Sequence, residues 1–206
     1  MDWEGGFRDA FRSLWPDADP NALLRTYHAV EPRIQADGAG LTYREVLARA
    51  LKEVAAEAGK ELPPGDEDAL AQSLPTWSPF PEVPAALAEA RDRGWKLAAL
   101  SNTDPDLLAA SVDAIGVPFD LRITASEAGS YKPAPGHWER FFADTGADRS
   151  DHVHVAASLF HDIEPAQRLG LTAVWINRLG ETSELERAAE LPDLRELPDT
   201  LERVAG

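Results

Sequence analysis

The chain has 206 residues, of which 44% are hydrophobic, so it is long enough to bury a core as one domain with an insertion or as two small domains. Its formal net charge of -16 at pH 7 argues against nucleic acid or an anionic membrane as a partner, because both attract positive protein surfaces. The sequence has no cysteine, which excludes a disulfide, a zinc–thiolate site and a thiol nucleophile. It also has neither a basic and apolar leader nor an apolar run of ~18 residues, so we expect a cytoplasmic protein.

The first eighty residues are predicted to be helical. Apolar residues recur at helical spacing in three successive segments, which are Phe7, Phe11 and Leu14, then Leu23, Leu24, Tyr27 and Val30, and then Val46, Leu47, Ala50, Leu51 and Val54. Thr42 with Glu45 three residues later predicts a capping box at the start of the third helix, and Gly59 predicts its end. A short fourth helix is predicted from Asp66 to Leu74. Three prolines between Ser78 and Pro84 then indicate a hinge.

After this hinge the pattern alternates between helices and strands. The predicted strands are short and apolar, and they cover Lys96–Leu100, Leu121–Ala125, Val153–Ala157 and Thr172–Ile176. Helices are predicted around them at Glu82–Arg93, Asp104–Gly116, Gly136–Thr145 and Pro165–Leu169. Strands that are apolar on both faces and separated by helices predict an α/β fold with a Rossmann-like parallel sheet covered on both sides. We therefore predict a helical domain over residues 1–80 and a Rossmann-like core over residues 81–206.

Polar residues gather where two of the predicted strands end, which is where a parallel sheet presents its reactive groups. Ser101 and Asn102 suit donors aimed at a carboxylate, phosphoryl or oxyanion group, although such a pair is also typical of a helix cap. Lys132 lies between Tyr131 and Pro133 in a tight loop. Its ammonium is therefore a candidate for neutralising charge on a nucleophile or leaving group, and a surface lysine is the alternative.

The segment ASLFHD follows the third predicted strand and carries Ser158, His161 and Asp162. His161 directly precedes the aspartate and is a candidate general acid or base near neutral pH, with a packed or solvated histidine as the alternative. His152 and His154 alternate along the strand and share a face. Because no acid or cysteine stands at ligand spacing beside them, no metal site is expected there.

Three segments in this order, WKLAALSNTD, GSYKPAPG and HVHVAASLFHDIEPAQRLGLTAVWINR, resemble the second, third and fourth motifs of the haloacid dehalogenase superfamily. The resemblance is closest to the type II 2-haloacid dehalogenase-like hydrolases and covers nearly the whole chain. It implies that the helical domain is a cap over a pocket between Ser101, Lys132 and Asp162. We predict catalytic roles for Lys132, Asp162, Ser101, Asn102 and His161, and substrate binding by Arg25, Ser158 and Tyr131. For Arg25, a solvated helix residue is the alternative.

The resemblance also implies a site without a metal. Phosphatase members hold magnesium with two acids, near the positions of Ala157 and Asp162, and only the second acid is present. A single carboxylate is a weak magnesium site, so we expect no cofactor. Type II dehalogenases use no metal, and there the matching aspartate orients the lysine and a water. They also carry an asparagine near Leu159, so ASLFHD resembles their site without completing it.

The family's first motif, a strand that ends in the nucleophilic aspartate, is not in the sequence, and Asp2 is not expected to replace it. Without that aspartate no covalent intermediate forms, so halide or phosphate release is expected to be absent. The first core strand, which lies centrally in the family, would be absent as well. The gap between Leu97–Leu100 and Val153–Ala157 would then be closed by direct pairing, by a segment exchanged within a homodimer, or by an upstream piece.

Three functions fit the sequence, and each has a small molecule as its partner. The first is a dehalogenase-like hydrolase for a small organic acid or phosphate ester, whose start lies upstream. The second is an enzyme that uses Lys132, His161 and Asp162 for acid–base chemistry, such as a cyclisation, elimination or isomerisation. The third is a non-catalytic binding protein that kept the fold.

Overall fold

The computed structural model describes residues 1–37 and 40–205. The chain divides into two compact units. The first unit contains Met1–Phe80, Asn102–Gly116 and Thr124–Ser126, and the second contains Pro81–Ser101, Val117–Ile123 and Glu127–Gly206.

The predicted helices and strands are all present and follow one another in the predicted order. The α-helices are α1 (Trp3–Leu14), α2 (Pro20–Asp37), α3 (Tyr43–Glu57), α4 (Ala69–Ser73), α5 (Val83–Asp92), α6 (Pro105–Ile115), α7 (Ala125–Ala128), α8 (Gly136–Thr145), α9 (Glu164–Arg168) and α10 (Leu197–Ala205). The strands are β1 (Ala98–Ser101), β2 (Leu121–Thr124), β3 (Val153–Ala156), β4 (Thr172–Ile176) and β5 (Ala189–Leu191). None of the helices in the described part of the chain is long and apolar enough to cross a membrane.

The first unit is built on helices α1, α2 and α3, whose apolar stripes face one another. Phe7 packs against Tyr27 with 4.2 Å between ring centroids, and both side chains are buried. Gly6 is required beside them, because a Cβ atom at this position would lie 2.2 Å from the ring of Trp77. The predicted capping box is confirmed, since the Thr42 side chain accepts from the Glu45 N–H and the Glu45 carboxylate accepts from the Thr42 N–H.

The second unit is a Rossmann-like arrangement of parallel strands between two layers of helix, as predicted. Strand β4 pairs in parallel with β3 on one side and with β5 on the other. One face of this sheet packs Val174 and Ile176 against α5 and α10. The other face packs Ala173 and Trp175 against α8 and α9. Each buried face removes apolar area from water, which is the main term that stabilises such a layered unit.

The sheet is divided at the position of the predicted gap. Strands β1 and β2 pair with each other, and β3, β4 and β5 form a second sheet. Over residues 1–37 and 40–205 no ladder joins β1 to β3, so direct pairing across the predicted gap does not occur there. All four residues of β1 are half-buried, whereas four of the five residues of β4 are fully buried.

Several assignments also differ from the prediction. Helices α7 and α10 were not predicted, and strands β2 and β3 each end one residue earlier than predicted. Strand β1 starts at Ala98 rather than at Lys96, because the Leu97 N–H donates to the Asp120 carboxylate instead of to a neighbouring strand. Strand β5 was not predicted. Its three residues, Ala-Glu-Leu, are too few to show an alternating pattern.

Candidate functional site

Lys132 is held in a tight loop between β2 and α8. The Ala134 N–H donates to the Tyr131 carbonyl, and the Lys132–Pro133 peptide bond is cis. A Cβ atom on Gly136 would lie 2.5 Å from Ser130 Oγ and 2.6 Å from the Ala128 carbonyl oxygen, so this close approach requires glycine. The loop therefore fixes the backbone position from which the Lys132 side chain extends.

The Lys132 ammonium and the Asp162 carboxylate form a buried ion pair in the second unit. Lys132 Nζ lies 2.6 Å from Asp162 Oδ1 and 2.9 Å from the carbonyl oxygen of Leu100 in β1. Each of the two charged side chains is 10% exposed. Asp162 lies in a single π-helical turn, Leu159–Ile163, directly after β3. The predicted meeting of the Lys132 loop with the end of β3 thus takes the form of a direct contact.

Asp162 is ionised in this environment. Burial by itself would raise the pKa of its carboxyl group, but the charge of Lys132 and the hydrogen bond from His154 outweigh burial and hold that pKa well below its usual range. An anion that is stabilised in this way is a weak nucleophile. The pair therefore keeps a positively charged ammonium beside the end of β1, which suits the binding of an anion.

His154 is the second partner of Asp162. His154 Nε2 lies 3.1 Å from Asp162 Oδ1, and the Trp138 indole N–H donates to His154 Nδ1 over 3.3 Å. Trp138, His154 and Asp162 are all buried. Hydrogen bonds therefore link four side chains of the second unit in the order Trp138, His154, Asp162 and Lys132.

Two further contacts involve residues that the sequence singled out. The His137 imidazole lies on α8, and its Nε2 hydrogen-bonds to the Ser101 carbonyl oxygen over 2.9 Å. Burial lowers the pKa of His137 to about 4, so it is neutral at pH 7. Ser158 Oγ lies 3.1 Å from His161 Nδ1 and accepts the His161 backbone N–H.

Asn102 and Arg25 belong to the first unit. The Asn102 amide donates to Gln35 Oε1 over 3.4 Å, and Gln35 in turn donates to the Glu31 carboxylate over 3.0 Å. The N-cap of α6 is Asp104, two residues after Asn102. Arg25 is 71% exposed and lies 3.9 Å from the Asp19 carboxylate, so its contact in the structure is a surface ion pair.

The groups at the end of β3 do not fit a magnesium ion. Asp162 Oδ1 faces an ammonium at 2.6 Å, and Ala157, at the position of the first acid, has no side-chain oxygen. Among residues 1–37 and 40–205, no three histidine or acidic side chains are placed to hold a metal ion.

His154, Trp138 and His137 are the contributors that sequence reasoning missed. The alternation of His152 and His154 along β3 places them on one face, and we considered this pair for a metal alone. Nothing in the periodicity shows that α8 covers that face, because Trp138 and His154 are sixteen residues apart in the chain. The one available signal is a histidine in an apolar strand, since a buried imidazole needs hydrogen-bond partners.

Comparison with known proteins agrees with this geometry. The haloacid dehalogenase-like hydrolase family matches residues 7–170. The (S)-2-haloacid dehalogenase of Pseudomonas sp. (strain YL) is 30% identical over 173 residues, which are 81% of this chain and 73% of that protein. The phosphoserine phosphatase of Thermus thermophilus is 30% identical over 204 residues, which are 94% of this chain and 80% of that protein.

Solved structures give the same result. The L-2-haloacid dehalogenase RSc1362 superimposes with a TM-score of 0.85 at 25% identity, over 96% of this chain and 92% of that one. The L-2-haloacid dehalogenase of Xanthobacter autotrophicus with chloropropionic acid covalently bound also reaches 0.85, at 21% identity, over 98% of this chain and 94% of that one. The resemblance to type II dehalogenases is therefore confirmed, and the chain belongs to the haloacid dehalogenase-like hydrolase family.

Proposed function

We propose that this chain binds a small organic acid through the Lys132 ammonium, as a dehalogenase-like member of its hydrolase family. The observation that carries this proposal is the buried ion pair between Lys132 and Asp162, which maintains a cation at the end of β1. The named substrates of its relatives, a 2-haloacid and phosphoserine, are small organic acids and support this class of ligand.

The covalent half-reaction of dehalogenases requires a carboxylate that attacks the substrate carbon. Asp2 and Asp162 are the aspartates that we consider for this attack, and each already accepts other hydrogen bonds. Asp2 Oδ1 accepts the Gly5 N–H at the start of α1. Asp162 is held by Lys132 and His154. We propose that the 206-residue chain, tested alone, binds the acid without releasing halide.

The test is a calorimetric titration of the purified chain with (S)-2-chloropropionate, together with a chloride-release assay. We expect binding by the wild type and a loss of about tenfold or more in Lys132→Met, because a charge-assisted hydrogen bond contributes ~1.5–3 kcal/mol. Lys52→Met removes an exposed lysine of α3 and is the matched control, with affinity unchanged. Equal binding by both variants contradicts the proposal. Chloride release that is lost in Asp162→Ala contradicts the absence of a covalent step.

A second candidate function is acid–base catalysis without a covalent step. The hydrogen bond between Ser158 Oγ and His161 Nδ1 favours it, because this pair can accept and return a proton. This function would be supported if the wild type converts a bound acid by elimination or isomerisation, and if His161→Gln loses that turnover while it still binds the acid. If the wild type and His161→Gln both bind the acid without turnover, the chain is a binding protein.

A further inference from the structure

The linked side chains Trp138, His154, Asp162 and Lys132, which we call the buried row, carry an inference about protonation. Successive members are joined at 3.3, 3.1 and 2.6 Å. All four residues are buried, so water does not compete strongly for these bonds. The inference rests on the proposed function, because it concerns how the buried row presents Lys132 to an acid.

The direction of each hydrogen bond in the buried row follows from its first member. An indole nitrogen is a donor only, so His154 Nδ1 must accept and carries no proton. A neutral imidazole then has its proton on Nε2, which donates to Asp162 Oδ1. In an imidazolium, an Nδ1–H would face the Trp138 N–H, with two donors and no acceptor.

Asp162 therefore has one charged partner, Lys132, and one neutral partner, His154. The three groups together carry no net charge. A proton added to His154 would give Asp162 two cationic partners and would leave the buried row with a charge of +1. The second cation would compete with Lys132 for the same oxygen, Asp162 Oδ1.

We propose that Trp138 and His154 are positioning residues that keep Lys132 as the cation of Asp162 and make acid binding independent of pH around neutrality. Trp138 keeps His154 neutral, because its indole N–H donates to His154 Nδ1. The neutral His154 then donates to Asp162 without adding a second positive charge. Neither residue needs to touch the ligand for this role.

The surroundings of His154 contain few other groups that change charge in this range. His152 lies on the same strand with 6.0 Å between ring centroids, and burial lowers its pKa to about 4. His137 lies next to Trp138 on α8 and has a pKa of about 4 for the same reason. On the neighbouring strand β4 the residue beside His154 is Ala173. Asp162 and Lys132 complete the charged groups of the buried row.

The test substitutes Trp138→Phe, which keeps an aromatic ring and removes the N–H. The first measurement is nitrogen NMR of the five histidines in the ligand-free protein between pH 5.5 and 8. We expect wild-type His154 to keep its Nε2–H form throughout. In Trp138→Phe we expect an imidazolium signal from His154 as the pH falls, because Nδ1 has lost its donor and Asp162 lies nearby. Trp95→Phe changes a tryptophan that packs on the opposite face of the sheet and should leave His154 unchanged.

The second measurement is the affinity for (S)-2-chloropropionate at pH 6 and pH 8. In the wild type the two affinities should agree within about twofold, whereas Trp138→Phe should bind on the order of tenfold more tightly at pH 6, because of the added positive charge. His154→Gln keeps a neutral donor that cannot become charged. In combination with Trp138→Phe it should abolish the pH dependence, which a merely structural role would not do.

Wild-type His154 with its proton on Nδ1, or as an imidazolium at pH 7, would overturn the inference. So would a Trp138→Phe protein whose His154 never gains a proton, or whose affinity does not change with pH. If that variant does not fold, the wild-type tautomer and a pH-independent affinity of His154→Gln still decide the matter. Absence of acid binding by the wild type counts against the proposed function instead, since the NMR measurement needs no ligand.

Discussion

Asp162 is a buried anion whose Oδ1 oxygen accepts from both Lys132 and His154. Removing one member of a buried ion pair leaves the other charge in a poorly solvated place, which costs more than the pair contributes in net terms. The pair is thus a sensitive position for stability, independently of any ligand.

We predict that Lys132→Met and Asp162→Asn each lower the free energy of unfolding by about 3–5 kcal/mol, and that the double variant loses less than the sum. Urea denaturation at pH 7 measures all four proteins of the cycle. The control is the exposed pair of Arg33 and Glu53, whose atoms also lie 2.6 Å apart and whose coupling should be ~0–1 kcal/mol. Additive losses for Lys132 and Asp162 would show that the two charges do not stabilise each other.

The depressed pKa of Asp162 also predicts how stability changes with acid. A carboxyl group whose pKa is lower in the folded state contributes stability above its unfolded pKa, about 3.9 for aspartate, and loses it as the pH falls through the window below that value. The stability difference between wild type and Asp162→Asn should therefore be full at pH 7 and narrow below about pH 4. Thermal melts at intervals of pH measure it, and a constant difference would contradict the assigned ionisation.

Helix α2 carries a stripe of two polar residues, Glu31 and Gln35. Glu31 and Gln35 are one turn apart, and Glu31 Oε1 accepts from Gln35 and from the Tyr43 hydroxyl, each over 3.0 Å. Burial raises the pKa of Glu31, and hydrogen bonds from Tyr27 and Tyr43 offset part of that effect. Through Gln35 the stripe reaches Asn102, so one helix orients the amide that follows β1.

Glu31→Leu should destabilise the protein by about 1–3 kcal/mol for each donor left without an acceptor, whereas Glu31→Gln keeps an acceptor and should cost less than about 1 kcal/mol. Urea denaturation measures both variants. Glu57→Leu, on the exposed side of α3, is the matched control and should change little. Equal losses for Glu31→Leu and Glu31→Gln would mean that the stripe does not depend on the acceptor.

Element positions were predictable where local signals frame them. Helix α8 and strand β4 have the predicted bounds, since Gly146 ends the helix and Gly170 lies just before the strand, and the capping box of α3 forms as expected. The sheet is divided between β1 and β3, where the sequence predicted a gap, but how that gap would be closed was not predictable, because strand pairing depends on contacts between distant segments. The hydrogen bond from Trp138 to His154 was not predictable for the same reason, because it depends on how α8 packs on β3.

At the scale of the whole molecule, the chain is strongly acidic, with a net charge of -16. A small organic anion is repelled by this average field, so its binding requires a local cation. Only four of the 206 residues are lysines, and Lys132 is the one at the end of the sheet. The proposed binding of an acid therefore depends on this one ammonium group.

The most direct test is detection of the lysine ammonium signals by nitrogen–proton NMR while (S)-2-chloropropionate is added. Lys132 is buried and hydrogen-bonded, so its ammonium protons should exchange slowly enough to be seen. We predict that the Lys132 signal moves and saturates with the ligand, while the signals of Lys52, Lys60 and Lys96 stay in place. A Lys132 signal that does not change while the ligand binds would contradict the central claim.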